Sequence, residues 1–364
     1  MEIRTGLSYG DVLLVPQRSP VDSRSDVDLS TNVTPNLQLE TPLVSAAMDT
    51  VTEADLAATL SHLGGLGVVH RFLDADEQAE QVRAVADDGG TVAGAVGIDE
   101  AYLDRTEALL DAGADAIVVD IAHGHMERCL DAVAHIRDEF DPEIVAGNVV
   151  TPEAVEDLWE AGTGCVKVGV GPGSHCTTRE VAGAGYPQLT AVSNCAERAH
   201  DLGIHVMADG GIRTSGDAAK ALMAGADTVM MGSFFAGTDE APGHVVEVDG
   251  DTYKRSRGMA STEAASARDD KQSDIDAGEG VEALTPYKGL VTPLVEEFLA
   301  GIRSGVSYSG GHTILAAREK AAFVRVAGSA KEREGAHGVV FADRTVDGDD
   351  AAERDHEQQA PLAD

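Results

Sequence analysis

Apolar residues in this chain gather in short runs that do not alternate with polar ones, and each run is followed by a stretch with helical spacing. The runs are PLVSAA (42–47), LGVVH (66–70), TVAGAVG (91–97), AIVVDIA (116–122), EIVAGNV (143–149), CVKVGVG (165–171), HVMADGG (205–211) and TVMMGSFF (228–235). Unbroken apolar runs of this length are what strands buried on both faces of a parallel sheet look like. Between them, TPEAVEDLWEAG and SGDAAKALMAGA open on a capping residue and close near glycine, the punctuation of an amphipathic helix. Eight strand–helix units predict an α/β protein, a (β/α)8 TIM barrel rather than an open doubly wound sheet.

That fold places chemistry at the C-terminal ends of its strands. MDT (48–50) follows the first run, DIAHGH (120–125) ends the fourth, and GVGPGSHCTTR (169–179) follows the sixth. DGG (209–211) closes the seventh and GS (232–233) lies in the eighth. Glycines here let backbone N–H groups approach a ligand, and the loops after strands seven and eight are this fold's usual phosphate cradle. Any one glycine pair suits a plain turn equally well; several on one barrel face point to a ligand.

Two stretches break the pattern. Residues 237–300 include STEAASARDDKQSDIDAGEG, too charged and too poor in large apolar groups to be core. They predict a flap inserted after strand eight, either a disordered insertion or a mobile lid. From 328 onward the chain turns polar and acidic, ending DGDDAAERDHEQQAPLAD, which reads as a disordered tail. The expected organisation is a single catalytic domain over 1–327, with its flap at about 237–300, and a tail over 328–364.

Composition changes this picture in three ways. At 43% hydrophobic but only 4% aromatic, the core must be aliphatic. No apolar run approaches the ~20 residues of a membrane span, and MEIRTGLSYGDVLL lacks a basic-then-apolar leader, so a soluble cytoplasmic protein is expected. The formal charge of −36 repels nucleic acid and anionic membranes. Acidic excess spread along the body reads as adaptation to a very salty cytoplasm, where the Debye length falls to ~3 Å at 1 M salt. The alternative is an ordinary acidic protein with a disordered acidic tail.

Cys129, Cys165 and Cys195 show no metal-like spacing and read as buried small hydrophobes. Cys176 sits instead in a glycine-rich loop at a strand end, beside His175, Thr177 and Thr178 and three residues before Arg179. Positive charge or helix-terminus amides would make its thiolate a nucleophile; a metal ligand or a small core residue in a loop are the alternatives. The carbonyls of the same loop suit an oxygen cage, for a monovalent rather than a divalent cation because no carboxylate is near. HGH (123–125) has a metal-like spacing but no partner cluster at the other strand ends. Asp120 is placed to accept hydrogen bonds from a ribose or a nicotinamide amide, or else to be satisfied by local backbone.

Taken together, LSYGDVLLVPQRS, SAAMDTVTE, GPGSHCTTR, ADGGIRTSGD, GSFFAGTDEAPG, PYKG and GIRSGVSYSGG resemble the IMP dehydrogenase/GMP reductase family of purine-nucleotide oxidoreductases, over about 2–326. The resemblance implies that Cys176 attacks C2 of the purine to form a covalent thioimidate. It implies that Thr178 and Glu279 handle the protons at C2. Ser174, Gly211, Gly232 and Ser233 match phosphate-holding positions and Asp209 the ribose ligand, while Met48, Gly258 and Met259 match the lining of the base site. Asp120 would face the nicotinamide cofactor. Gly169, Gly171 and Cys176 match carbonyls of a potassium (K+) site, and a homotetramer is implied.

Two activities share this chemistry. The dehydrogenase oxidises IMP with NAD+ and hydrolyses the adduct using an Arg-Tyr pair on a long flap; the reductase expels ammonia from GMP and accepts hydride from NADPH. Here the segment between Met259 and Glu279 is short, Arg268 is followed by Asp269, and no tyrosine occurs between Tyr253 and Tyr287. STEAAS, GYPQLTAV and CAERAHDLG also read like reductases, and no CBS pair is inserted. Against this, SAAMDTVTE, AHGH and ADGGIRTSGD look like dehydrogenases, Arg71 stands where reductases carry lysine, and Ser256 replaces a phosphate-contacting tyrosine. The flap carries the step that separates the reactions, so the expectation is a GMP reductase using NADPH. An IMP dehydrogenase using NAD+ is the alternative, and a non-catalytic nucleotide sensor the lesser one.

Overall fold

The structure, a computed structural model, describes residues 3–259, 279–328 and 330. Met1–Arg325 form one compact unit; of the second, which begins at Val326, only 326–328 and 330 are described, so the expected tail lies almost wholly outside the described residues.

Strand β1 (Val12–Leu14) and the hairpin β2 (Thr31–Thr34)–β3 (Leu37–Leu39) precede the barrel. Its eight strands follow: β4 (Leu43–Ser45), β5 (Leu66–Val69), β6 (Val92–Val96), β7 (Ala116–Asp120), β8 (Ile144–Val149), β9 (Cys165–Val168), β10 (His205–Asp209) and β11 (Thr228–Met231). They pair in parallel and close, β11 returning to β4, so the chain is a TIM barrel built on the eight runs read from the sequence. Residues of β5 and β6 are buried at every position, which is why they show no alternation.

Helix boundaries follow the local chemistry. Thr151 caps the helix Pro152–Ala161 through the Ala154 amide, proline holds its first turn, and Gly162 ends it in a left-handed conformation at φ 111°. Thr214, one residue earlier than the sequence reading placed it, forms a reciprocal capping box with Asp217 at the start of helix Ser215–Met223.

Two layers of apolar packing result. One lies between the strands and the surrounding helices. The other fills the barrel with small side chains such as Ala93, Ala95 and Ala116, and is joined by Val33 and Leu39 of the β2–β3 hairpin. The hairpin contacts β8, β10 and β11, and Thr31 Oγ1 donates to the Asp227 carbonyl at 2.9 Å, so it stoppers the N-terminal end.

The stretch expected to leave the barrel has three parts. β12 (Val245–Val248), β13 (Asp251–Arg257) and β14 (Glu282–Pro286) form an antiparallel sheet; residues 260–278, Arg268 among them, lie outside the described residues. Residues 291–300 begin the helix Val291–Tyr308, which packs against Ser215–Met223 as part of the barrel wall. β15 (Phe323–Arg325) then pairs with β1.

Candidate active site

Cys176 is held by backbone at both sides. Its amide donates to the Gly173 carbonyl at 3.2 Å, and the next amide, of Thr177, donates to the Glu279 carbonyl at 2.9 Å. The chain returning from the excursion therefore pairs with the cysteine loop, with Cys176 opposite Gly280. That pairing delivers Glu279 to the thiol although 103 positions separate their numbers in the sequence.

Three side chains form a line. Thr178 Oγ1 donates to Glu279 Oε2 at 2.7 Å and lies 3.1 Å from Cys176 Sγ. A hydroxyl has one proton, and here it is committed to the carboxylate, so the thiol must be the donor to Thr178. The line runs S–H to O–H to carboxylate, a path from sulfur to base. The other three cysteines are fully buried, and burial pushes the Cys129 and Cys195 thiols up to about 12 and that of Cys165 well above its ordinary value. Only Cys176 among the four is partly exposed.

A cavity of about 470 Å³ opens over this line at the C-terminal mouth of the barrel. Of the residues singled out in the sequence, Cys176, Glu279, Met48, Ser174, Asp209, Gly211, Gly232, Ser233, Gly258, Met259 and Gly171 border it. Thr178 stands behind Cys176, while Asp120 and Gly169 do not border the cavity. Gly210 and Gly211 have φ of 84° and 77°, a consecutive left-handed turn that suits glycine alone and turns the loop after β10 toward the cavity. The amides of Gly211, Gly232 and Ser233 make no protein hydrogen bond among the described residues, and Arg179 and Arg213 stand at the same cavity. This side of the cavity can take an anion.

Beneath the mouth lies a charge cluster that the sequence reading passed over. Lys167, 2% exposed, donates from Nζ to Asp120 Oδ1 at 2.9 Å, to Asp209 Oδ2 at 2.5 Å and to Asn148 Oδ1 at 2.5 Å. Burial alone would push this ammonium down, but the two carboxylates outweigh it and hold it above the ordinary lysine range. Asn148 Nδ2 also donates to Asp209 Oδ2 at 2.8 Å, and Gln188 Nε2 to the Asp209 carbonyl at 3.0 Å. Asp209 is thus fixed while still bordering the cavity. A lysine inside a run otherwise buried on both faces is the signal that announces such a cluster.

Other expectations fall out differently. Asn148 Nδ2 donates to the Gly169 carbonyl at 2.6 Å, so one of the three carbonyls expected to cage potassium already accepts a hydrogen bond and keeps one lone pair for an ion. His125 Nε2 lies 2.6 Å from Asp157 Oδ2, and no metal-holding group of His, Cys, Asp and Glu occurs among the described residues. Asp120 remains partly exposed beside Lys167, compatible with a further hydrogen bond from a cofactor. Arg71 crosses Gly97 next to Asp99 and does not border the cavity. Ser256 is wholly buried in β13, away from the cavity, where its hydroxyl lies 2.8 Å from His175 Nε2.

The chain matches the family model described as "IMP dehydrogenase / GMP reductase domain" over residues 6–337. It is 35% identical to an inosine-5'-monophosphate dehydrogenase from Nitrosopumilus maritimus, covering 94% of this chain and 100% of that protein. It is 33% identical to a GMP reductase from Leishmania major, covering 92% and 97%. These alignments span 475 and 479 positions against 364 residues here, so both relatives carry at least 111 positions with no counterpart in this chain. The inserted length therefore does not separate the two activities. A crystal structure of a cysteine-to-alanine variant of Trypanosoma brucei GMP reductase, in complex with guanosine 5'-monophosphate, superposes with a TM-score of 0.89 at 32% identity, covering 93% of this chain and 99% of that one.

Proposed function

The chain belongs to the IMP dehydrogenase/GMP reductase family, and from that premise we propose that it is a GMP reductase, converting GMP to IMP and ammonia with NADPH. The observation that carries the covalent chemistry is the line Cys176–Thr178–Glu279, with sulfur at the cavity and a carboxylate two hydrogen bonds away. The direction of the reaction rests on the segment 260–278, which contains one arginine, followed by aspartate, and no tyrosine. It offers no Arg-Tyr pair to activate water.

In this reading the purine lies between Met48 and the Gly258–Met259 turn, with the phosphate at the free amides after β10 and β11 and the ribose at Asp209. Cys176 passes its proton through Thr178 to Glu279 and its sulfur bonds to C2. The C2–N2 bond breaks, and Glu279 returns a proton through Thr178 to the departing ammonia. NADPH, when bound, supplies the hydride that replaces sulfur at C2. GMP, NADPH and two protons thus become IMP, NADP+ and ammonium. Asp120 would hold the cofactor's amide, and Lys167, bonded to both Asp120 and Asp209, fixes where the two carboxylates point.

The dehydrogenase reading is favoured by the Nitrosopumilus maritimus relative, whose identity to this chain, 35%, exceeds the 33% of the Leishmania major reductase. Parallel reactions decide: GMP with NADPH, and IMP with NAD+, both in concentrated potassium salt and followed by nicotinamide absorbance. NADPH consumption and ammonia release with GMP are expected. NADH formed from IMP would make the protein a dehydrogenase. Light scattering tests the accompanying expectation of a homotetramer.

A further inference from the structure

Next to the nucleophile, His175 joins the cavity to the inside of the flap sheet. Its Nδ1 lies 3.0 Å from the Ser174 hydroxyl, which borders the cavity, and its Nε2 lies 2.8 Å from the Ser256 hydroxyl. Ser256 in turn lies 2.7 Å from the Thr285 hydroxyl on the neighbouring strand. His175, Ser256 and Thr285 are 8%, 0% and 7% exposed, so three polar groups are committed to one buried line that ends at the cavity. Burial pushes the His175 imidazole below its ordinary value, which keeps it neutral with one N–H and one lone pair.

A neutral ring can donate to only one of its two neighbours. If Nε2 carries the proton, Nδ1 accepts from Ser174 and turns that hydroxyl proton away from the ligand. If Nδ1 carries it, the groups align in one direction: Thr285 donates to Ser256, Ser256 to Nε2 at 2.8 Å in preference to the Ala283 carbonyl at 3.5 Å, and Nδ1–H to Ser174, whose own proton then faces the cavity. The free amides of Gly211, Gly232 and Ser233 and the side chain of Arg213 mark this cavity as anion-binding, and an anion selects the second arrangement.

We propose that His175 is a positioning residue for the phosphate of the bound nucleotide, aiming the Ser174 hydroxyl as a donor under the direction of Ser256 and Thr285. The inference rests on the nucleotide reading above, but not on which of the two reactions is catalysed.

The test is calorimetric titration of the full chain with inorganic phosphate, GMP, IMP and guanosine. His175→Val weakens GMP and phosphate about tenfold, the scale of one hydrogen bond to a charged group, and leaves guanosine unchanged. Ser256→Ala shifts phosphate and GMP in the same sense by less, and His175→Asn, which keeps a donor toward Ser174, recovers most of the loss. In turnover the KM for nucleotide rises more than kcat falls. Equal weakening of guanosine and GMP in His175→Val means a packing role only and overturns the proposal, as does phosphate affinity unchanged in both His175→Val and Ser256→Ala. Wild-type protein that binds phosphate but neither nucleotide would sink the purine-nucleotide reading while the relay stands.

Discussion

At the N-terminal end of the barrel the carboxylate of Asp227 is closed in on every side. It accepts from the Val206 amide at 2.9 Å, from His200 Nε2 at 3.1 Å and from Arg318 Nη1 at 3.1 Å, with His205 Nδ1 at 3.4 Å. At the C-terminal mouth Asp209 and Asp120 share Lys167 but each stays partly exposed. Both ends bury charge in pairs. At one end the Asp227 carboxylate is bonded only within the protein, while at the other Asp209 keeps capacity facing a cavity. Stability and reactivity are therefore divided between the two ends of one barrel, as the fold allows.

The sharpest test of that division is Cys176→Ala. Turnover is expected to fall by at least about a thousandfold, with nucleotide affinity and unfolding free energy nearly unchanged, measured by steady-state rate, titration and urea melts. Residual turnover near wild type would sink the covalent mechanism. Asp227→Asn should do the reverse. Breaking a buried pair by removing one partner costs about 3–5 kcal/mol, read from urea unfolding, while kcat of the remaining folded protein holds.

The acid response of wild type sharpens the same contrast. Burial would raise Asp227, but the bonds from His200 and His205 and the Arg318 charge prevail and hold it well below the ordinary aspartate value of 3.8. A depressed carboxylate contributes its full stability above that ordinary value, and the contribution drains away as pH falls below it. The gap between the urea midpoints of wild type and Asp227→Asn should therefore narrow from about pH 5 to about pH 3. Lys167, raised in the fold, contributes fully below the ordinary lysine value and loses that contribution only at strongly alkaline pH.

Glu279→Gln removes the end of the proton line and should lower kcat by about a hundredfold, with Thr178→Val similar and the two together no worse than the larger. Additive losses would show that they act separately. The smallest effect is expected at Gly232→Ala. The added Cβ would lie 2.7 Å from Met48 Sδ, part of a flexible side chain, so Met48 moves and the nucleotide KM rises only a few-fold, less than the about 1–3 kcal/mol that overpacking a rigid core costs.

How much of this was legible depends on range in sequence. The eight barrel strands announced themselves because each is locally apolar throughout, and the cysteine loop because GPGSHCTTR concentrates unusual residues within a few positions. The β2–β3 stopper was missed: TNVT, cut by Pro35, has too little apolar content to read as buried, and only closure of the barrel end makes it so. Lys167 was visible but its partners were not, since Asp120 and Asp209 come from other strands. The contact of His175 with Ser256 spans 81 positions and exists only because β13 folds back over the cysteine loop.

Both ends of the segment 260–278 are tied down independently of what lies between them. The Gly258 amide donates to the Val281 carbonyl at 3.0 Å, the Val281 amide to the His175 carbonyl at 3.1 Å, and Arg257 sits opposite Glu282 across β13 and β14. Chain closed at a fixed gate can be lengthened cheaply, since doubling a loop adds only about 0.6 kcal/mol. Such a segment is an exchangeable cassette. Its length and residues can be rewritten, and on the proposed reading the fate of the adduct on sulfur with them, while the thiol, its hydroxyl and its carboxylate keep their places in the frame.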